Sequence, residues 1–104
     1  MIVSYCINDP VLEISEHYFD VKLDEILDEF YNLPEEEYAM IGLIDEKKYE
    51  YRVLYRDYDK YLTVVYCGNN EVVSSDVLTY DECVEKIRNI FDKGIIFLSD
   101  TDIV

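Results

Sequence analysis

The stretch from residue 38 to residue 67 constrains the fold more than any other part of the chain. Three runs rich in aromatic and β-branched residues occupy residues 38–44, 49–55 and 61–67, and such runs are typical of β-strands. Only four and five mostly polar residues separate them, at 45–48 and 56–60. A parallel connection needs a crossover of about a dozen residues or more, so these strands are predicted to be antiparallel neighbours.

The middle run alternates between two kinds of side chain. Its odd positions from 49 to 55 carry only Tyr or Val, whereas its even positions from 50 to 56 carry Glu, Arg, Leu and Arg. Successive side chains of a strand point to opposite faces of the sheet. The alternation therefore predicts a strand with one buried face and one wet face.

Two amphipathic helices are predicted around these strands. The first covers residues 21–33, with Asp20 as its N-cap and Pro34 as its stop. The second begins at a capping box formed by Thr79 and Glu82 and ends at Gly94. Apolar residues recur on both at spacings of three and four, and the predicted core members are Leu23, Ile26, Leu27, Ile87, Ile90 and Phe91.

The remaining strands complete the predicted architecture. Residues 1–7 and 11–15 suit an N-terminal hairpin, residues 71–74 a short returning strand, and residues 95–98 a final buried strand. The resulting order is β-β-α-β-β-β-β-α-β, in one domain spanning residues 1–104. We therefore predict an α+β fold, in which two amphipathic helices pack on one face of a mostly antiparallel sheet.

The net charge excludes several functions. The chain has 24 acidic against 9 basic residues, a formal charge of −15, which disfavours direct binding to nucleic acid or to an anionic membrane surface. Half of the residues are apolar, so the chain can fold in spite of its charge. Residues 1–37 hold eleven acids and a single base, Lys22, and so carry −10 of the total.

The cysteines and the N-terminus indicate a cytoplasmic protein. Cys6, Cys67 and Cys83 are odd in number and widely spaced, with no Cys-x-x-Cys pair. This pattern is typical of a reducing compartment. The N-terminus lacks the basic segment of a signal peptide, and the chain has no apolar run of about 18 residues.

The groups that catalysis requires are scarce. His17 is the one histidine, and the three glycines are isolated, so neither a two-histidine metal site nor a glycine-rich phosphate loop can form. Residues 57–61 begin like a calcium loop, but Leu62 replaces the glycine that such a loop needs. We therefore predict no enzymatic activity, no cofactor and no metal.

The surface offers a different role, because the chain combines acidic segments with eleven tyrosines. Tyrosine supplies a large contact area with little loss of side-chain entropy, although it also suits half-buried strands. We predict that a basic protein binds the acidic first helix, the 35–37 segment and the 57–59 loop, with three tyrosines as anchors. The predicted contact residues are Asp24, Glu25, Asp28, Glu29, Glu35, Glu36, Glu37, Tyr55, Asp57, Tyr58, Asp59 and Tyr61.

The carboxylates could serve such a partner in two ways. They could complement a basic surface and speed its association, or they could imitate the phosphates of a duplex and compete for a nucleic-acid site. Both mechanisms predict binding that weakens with salt. A third interpretation, that the acidic face only keeps the domain soluble, stays open at this point.

The order and spacing of the elements resemble those of small bacterial immunity proteins of polymorphic or contact-dependent toxin systems, in particular immunity protein family one. The resemblance rests on residues 19–30, 39–44, 51–55, 61–66 and 78–94, a pattern of elements spread over about residues 11 to 97. Members of that family often carry a tryptophan near the C-terminal strand, which this chain lacks. The resemblance implies a non-enzymatic inhibitor that binds one cognate toxin in the cytoplasm.

A second class of proteins shares the small size, the negative charge and the α+β fold that we predict for this chain. Small acidic phage proteins block nucleic-acid-guided host defence nucleases such as CRISPR effectors, and some act as nucleic-acid mimics. We keep this class as the alternative expectation.

Overall fold

The structure is a computed structural model, and it describes residues 1–19 and 21–97. Within these ranges the chain forms six strands and two helices. In chain order they are β1 (Ile2–Asp9), β2 (Ile14–Tyr18), α1 (Leu23–Tyr31), β3 (Met40–Asp45), β4 (Glu50–Asp57), β5 (Lys60–Tyr66), β6 (Val72–Leu78) and α2 (Tyr80–Lys93).

All six strands belong to one antiparallel sheet with the order β2-β1-β3-β4-β5-β6. The segment from β3 to β6 is a meander, as its short loops require. α1 lies between β2 and β3 in the chain, and these two strands flank β1 on opposite sides. The predicted α+β class and the antiparallel sheet are confirmed.

The core forms on one face of the sheet. Leu43 lies opposite Tyr51, and Tyr51 lies opposite Val65, so these three side chains share a face. All three are buried, in one cluster with Ile26 and Phe30 of α1 and with Cys83, Ile87 and Ile90 of α2. Of the six predicted core residues, Ile26, Ile87 and Ile90 are buried, whereas Leu23, Leu27 and Phe91 pack against the cluster while partly exposed.

The predicted boundaries of α2 are confirmed in detail. Thr79 Oγ1 accepts a hydrogen bond from the Glu82 backbone N–H at 3.2 Å, and a Glu82 carboxylate oxygen accepts one from the Thr79 N–H at 3.0 Å. Gly94 ends the helix in the left-handed conformation, with φ of 73°. Reciprocal capping and a left-handed glycine together satisfy groups at both helix ends.

The predicted boundaries of α1 are wrong, because the helix is shorter than residues 21–33. Its N-cap is Lys22, whose side chain makes no capping hydrogen bond, and the predicted N-cap Asp20 lies outside the described residues. The helix ends at Tyr31. The ring of Pro34 disfavours helical geometry at Leu33, which accounts for an end before the proline itself.

Three strand predictions also need correction. β2 begins at Ile14 instead of residue 11, because Asp9 Oδ1 accepts the N–H groups of Val11 and Leu12 at 3.0 Å and holds residues 10–13 in a turn. β3 begins at Met40, after Tyr38 with φ of 73°. β6 extends to Leu78, since it pairs with β5 as far as Tyr61.

The predicted final strand at residues 95–98 is absent over its described part, residues 95–97; Leu98 lies outside the described residues. The Ile96 N–H donates instead to Asp45 Oδ2 at 3.0 Å. The other oxygen of the buried Asp45 carboxylate accepts the N–H groups of Lys47 and Tyr49, each at 3.0 Å. One side chain therefore holds both the β3–β4 turn and the segment that follows α2.

Candidate functional site

Three segments that are distant in the sequence meet at a cleft of about 290 Å³. They are the end of α1 with the chain after it, the β4–β5 turn with the start of β5, and the first residue of α2. The cleft is lined by Tyr31, Leu33, Glu35, Tyr58, Asp59, Tyr61 and Tyr80. Four of its seven lining residues are thus tyrosines, and two are acidic.

Packed aromatic rings lie along one side of the cleft. Tyr61 is only 8% exposed, and its ring meets the buried Phe30 ring edge-on at 5.2 Å between centroids. Phe30 also stacks on Tyr80 at 4.8 Å, and Tyr55 meets Tyr61 edge-on at 5.8 Å. Ring pairs in these geometries stabilise the packing beyond their buried area, so this side of the cleft is preorganised.

Two other tyrosines of the cleft are open to solvent. Tyr31 is 76% exposed and Tyr58 is 80% exposed. Among residues 1–19 and 21–97, neither ring stacks on another aromatic side chain. Tyr31 is the last residue of α1, and it is not part of the buried core. Both rings are therefore accessible to a binding partner.

Asp59 fixes the β4–β5 turn against α2. Its Oδ1 accepts the Tyr80 backbone N–H at 2.9 Å, and its φ is 50°. Asp and Asn adopt this left-handed conformation more readily than most residues. Asp57 completes the turn by accepting the Tyr58 N–H at 2.8 Å. The turn that carries Tyr58 is thus held by two carboxylates, each of which is exposed.

The electrostatic environment of the cleft is negative. None of the described residues that line it is basic, and the last turn of α1 contains no basic residue to offset the negative end of the helix dipole. Burial, and then the Glu35 carboxylate, raise the pKa of Tyr61 to about 12. Burial, followed by Glu35, Asp57 and Glu36, raises the pKa of Tyr55. Each carboxylate disfavours the negatively charged form of these tyrosines. The same negative potential favours a cation in the cleft.

The structure brings some of the predicted contact residues together and separates others. Glu35, Tyr58, Asp59 and Tyr61 line the cleft, and Tyr55 lies beside Tyr61. Asp57 in the turn and Glu36 and Glu37 after Glu35 are exposed. The acids of α1 do not line the cleft: Asp24, Glu25 and Asp28 are exposed along the helix, and Glu29 lines a separate cleft beside Tyr18.

Three lining residues were absent from the predicted contact set: Tyr31, Leu33 and Tyr80. Tyr31 and Tyr80 belong to the apolar stripes of the helices, which favours a core role for both. Tyr80 directly follows the capping residue Thr79, and Tyr31 is the last residue of α1. A position at a helix end, where the stripe leaves the core, is the signal that could have identified them.

His17 lies within β2, and its Nε2 is 3.0 Å from Ser4 Oγ. Over residues 1–19 and 21–97, no group of three or more His, Cys, Asp or Glu side chains could hold a metal ion. No described helix is long and apolar enough to cross a membrane.

Neither the known protein families, nor the curated proteins, nor the solved structures contain a match to this chain. The resemblance to immunity protein family one therefore stays a prediction.

Proposed function

We propose that this chain is an immunity-type inhibitor, which binds a basic toxin in the cytoplasm and blocks it without any catalysis of its own. The observation that carries the proposal is the cleft, where exposed tyrosines and carboxylates converge and none of the described lining residues is basic. An unpaired negative site of this kind is complementary to a positive protein surface.

The carboxylates around the cleft are available to a partner. Glu35, Asp57 and Asp59 are exposed, and none of them forms an ion pair with another described residue. The net charge of −15 adds a long-range field that speeds encounter with a basic protein. These acids would thus act on the association rate and on the choice of partner.

The tyrosines supply the contact area that such a charge pattern lacks. Exposed Tyr58 and Tyr31 offer ring surface at the cleft, while packed Tyr61 and Tyr80 hold its shape. Aromatic residues in preorganised pockets are enriched among the residues that dominate binding energy. We assign Tyr58 as the principal anchor, and Tyr61 as a buried support that presents only part of its ring.

Co-expression in a bacterial host tests this function. The chain should restore growth against the toxin encoded directly beside its gene. The double variant Asp57→Asn/Asp59→Asn should rescue less well, because it removes two charges while keeping the oxygen that accepts the Tyr80 N–H. Glu71→Gln/Asp92→Asn is the matched control, since both residues are exposed and neither lines the cleft.

A different outcome would identify the alternative class. A chain that leaves the toxin active, but protects phage from a host defence nuclease, would be a nucleic-acid mimic. That result would contradict the immunity role.

A further inference from the structure

We infer that the cleft takes the guanidinium group of an arginine side chain presented by the basic partner. This inference rests on the proposed function and names the group that the site recognises. Tyrosine rings and carboxylates together, with no basic residue among the seven that line the cleft, form a site for one cation. A cation over an aromatic face is attracted by the quadrupole of the ring.

The molecule already contains this arrangement elsewhere, with its cation in place. The Arg52 guanidinium carbon lies over the Tyr66 ring at 4.5 Å from its centroid. The same side chain bonds Glu50, with Nε 2.7 Å from Oε2. The cleft supplies the rings and the carboxylates of such a group but lacks an arginine of its own.

The size of the cleft suits a single long side chain. Its volume is about 290 Å³, at the lower limit of the roughly 300 to 1,000 Å³ typical of pockets for drug-sized ligands. The cleft lies at the C-terminal end of α1, where helix carbonyls favour a positive group, and at the N-terminal end of α2, whose opposite dipole is offset by Asp59, Asp81 and Glu82. The volume of the cleft and the carboxylates around it therefore favour the same kind of occupant.

Arginine fits these features better than lysine does. Its guanidinium is planar, stacks on aromatic faces and donates two parallel hydrogen bonds to a carboxylate. The ammonium group of lysine is a more strongly hydrated point charge, which loses more when it enters a half-apolar cleft. Glu35 is the carboxylate free to accept both bonds, because Asp59 already accepts the Tyr80 N–H.

Three capped tripeptides test the inference against the full chain with ¹³C-labelled tyrosine rings. They are Gly-Arg-Gly, Gly-Lys-Gly and Gly-citrulline-Gly, each acetylated and amidated, and citrulline keeps the shape of arginine without its charge. The arginine peptide should shift the ring signals of Tyr31 and Tyr58 saturably. The lysine peptide should bind more weakly, and the citrulline peptide should cause no saturable shift.

Variants locate the binding. Tyr58→Ala should raise the dissociation constant of the arginine peptide about twofold to fivefold, which corresponds to an exposed cation–π contact of about 0.5 to 1 kcal/mol. Glu35→Gln should weaken it as well. Tyr38→Ala is the matched control, because Tyr38 is 71% exposed and does not line the cleft, and it should leave the constant unchanged.

Three results would overturn the inference: no saturable shift with arginine, equal binding of lysine or citrulline, or an equal effect of Tyr38→Ala. Its failure is distinct from that of the proposed function. If growth rescue persists while the arginine peptide fails to bind, only the guanidinium assignment is wrong. If the peptide binds but no toxin is neutralised, the proposed function is wrong, whereas the assignment of the cleft as an arginine-binding site is upheld.

Discussion

At the scale of single residues, Asp45 contributes more to the fold than its position in a polar sequence suggests. Its carboxylate is 1% exposed and accepts three backbone N–H groups, from Lys47, Tyr49 and Ile96. The Ile96 N–H is buried, and a buried donor that loses its acceptor is costly because it cannot return to water. Asp45 therefore ties a turn and a distant segment to one another.

Asp45→Ala should lower the free energy of unfolding by about 2 to 4 kcal/mol, because it removes the acceptor of the buried Ile96 N–H and of two partly buried N–H groups. Urea unfolding followed by circular dichroism measures the change. Asp92→Ala is the control, as Asp92 is exposed at the end of α2, and it should stay within about 0.5 kcal/mol of the parent. Equal effects of the two variants would show that Asp45 has no special role.

The raised tyrosine pKa values predict loss of stability in alkali. The pKa of Tyr61 is raised from 10.0 to about 12, first by burial and then by Glu35. The folded chain thus holds this proton more tightly than the unfolded chain. The stabilising contribution is complete below pH 10 and is lost as the pH rises towards 12.

Urea unfolding at successive pH values tests this sign. The free energy of unfolding should fall between pH 10 and pH 12, and Tyr61→Phe should fall less steeply because phenylalanine cannot ionise. Parallel curves for the parent and the variant would contradict the assignment to Tyr61.

At the scale of elements, the two helices differ in how their ends are determined. α2 carries reciprocal capping by Thr79 and Glu82 and a left-handed Gly94. α1 has neither a side-chain cap nor a glycine at its end. Pro34 limits its C-terminal end, and the helix is stabilised by packing, through the buried Ile26 and Phe30.

Thr79→Ala should lower the free energy of unfolding by about 1 kcal/mol, because the Glu82 N–H loses its acceptor. Thr79→Ser keeps the hydroxyl and should retain most of the stability. Urea unfolding of both variants checks the difference. Identical losses would place the effect in the lost methyl group instead of the cap.

Local chemistry explains which elements could be predicted from the sequence. The strands β3 to β5 and the boundaries of α2 depend on alternation, short loops and caps, all of which lie within a few residues. The segment after α2 could not be predicted, because the partner of the Ile96 N–H is Asp45, 51 residues earlier. β2 begins later than predicted, because one side-chain oxygen of Asp9 accepts two N–H groups of the turn and so makes the turn longer than the sequence pattern suggests.

At the scale of the whole molecule, the fold brings part of the negative charge together at one cleft. Glu35 and Asp59 are 24 residues apart in the sequence, yet both line one cleft with Tyr31 and Tyr80. The sequence could predict each acidic segment as a contact region, because charge runs are visible locally. It could not predict their convergence, which depends on Asp59 bonding the start of α2.

The central claim is that the acids at the cleft recognise a basic partner instead of only keeping the domain soluble. The most direct test is the rate at which this chain associates with the toxin that it inhibits. Stopped-flow fluorescence measures this rate over a series of salt concentrations. Asp57→Asn/Asp59→Asn should slow association at low salt and flatten its salt dependence, whereas the equally charged Glu71→Gln/Asp92→Asn should change both less. Identical rates and slopes for the two double variants would contradict recognition at the cleft and leave the carboxylates as a general solubility charge.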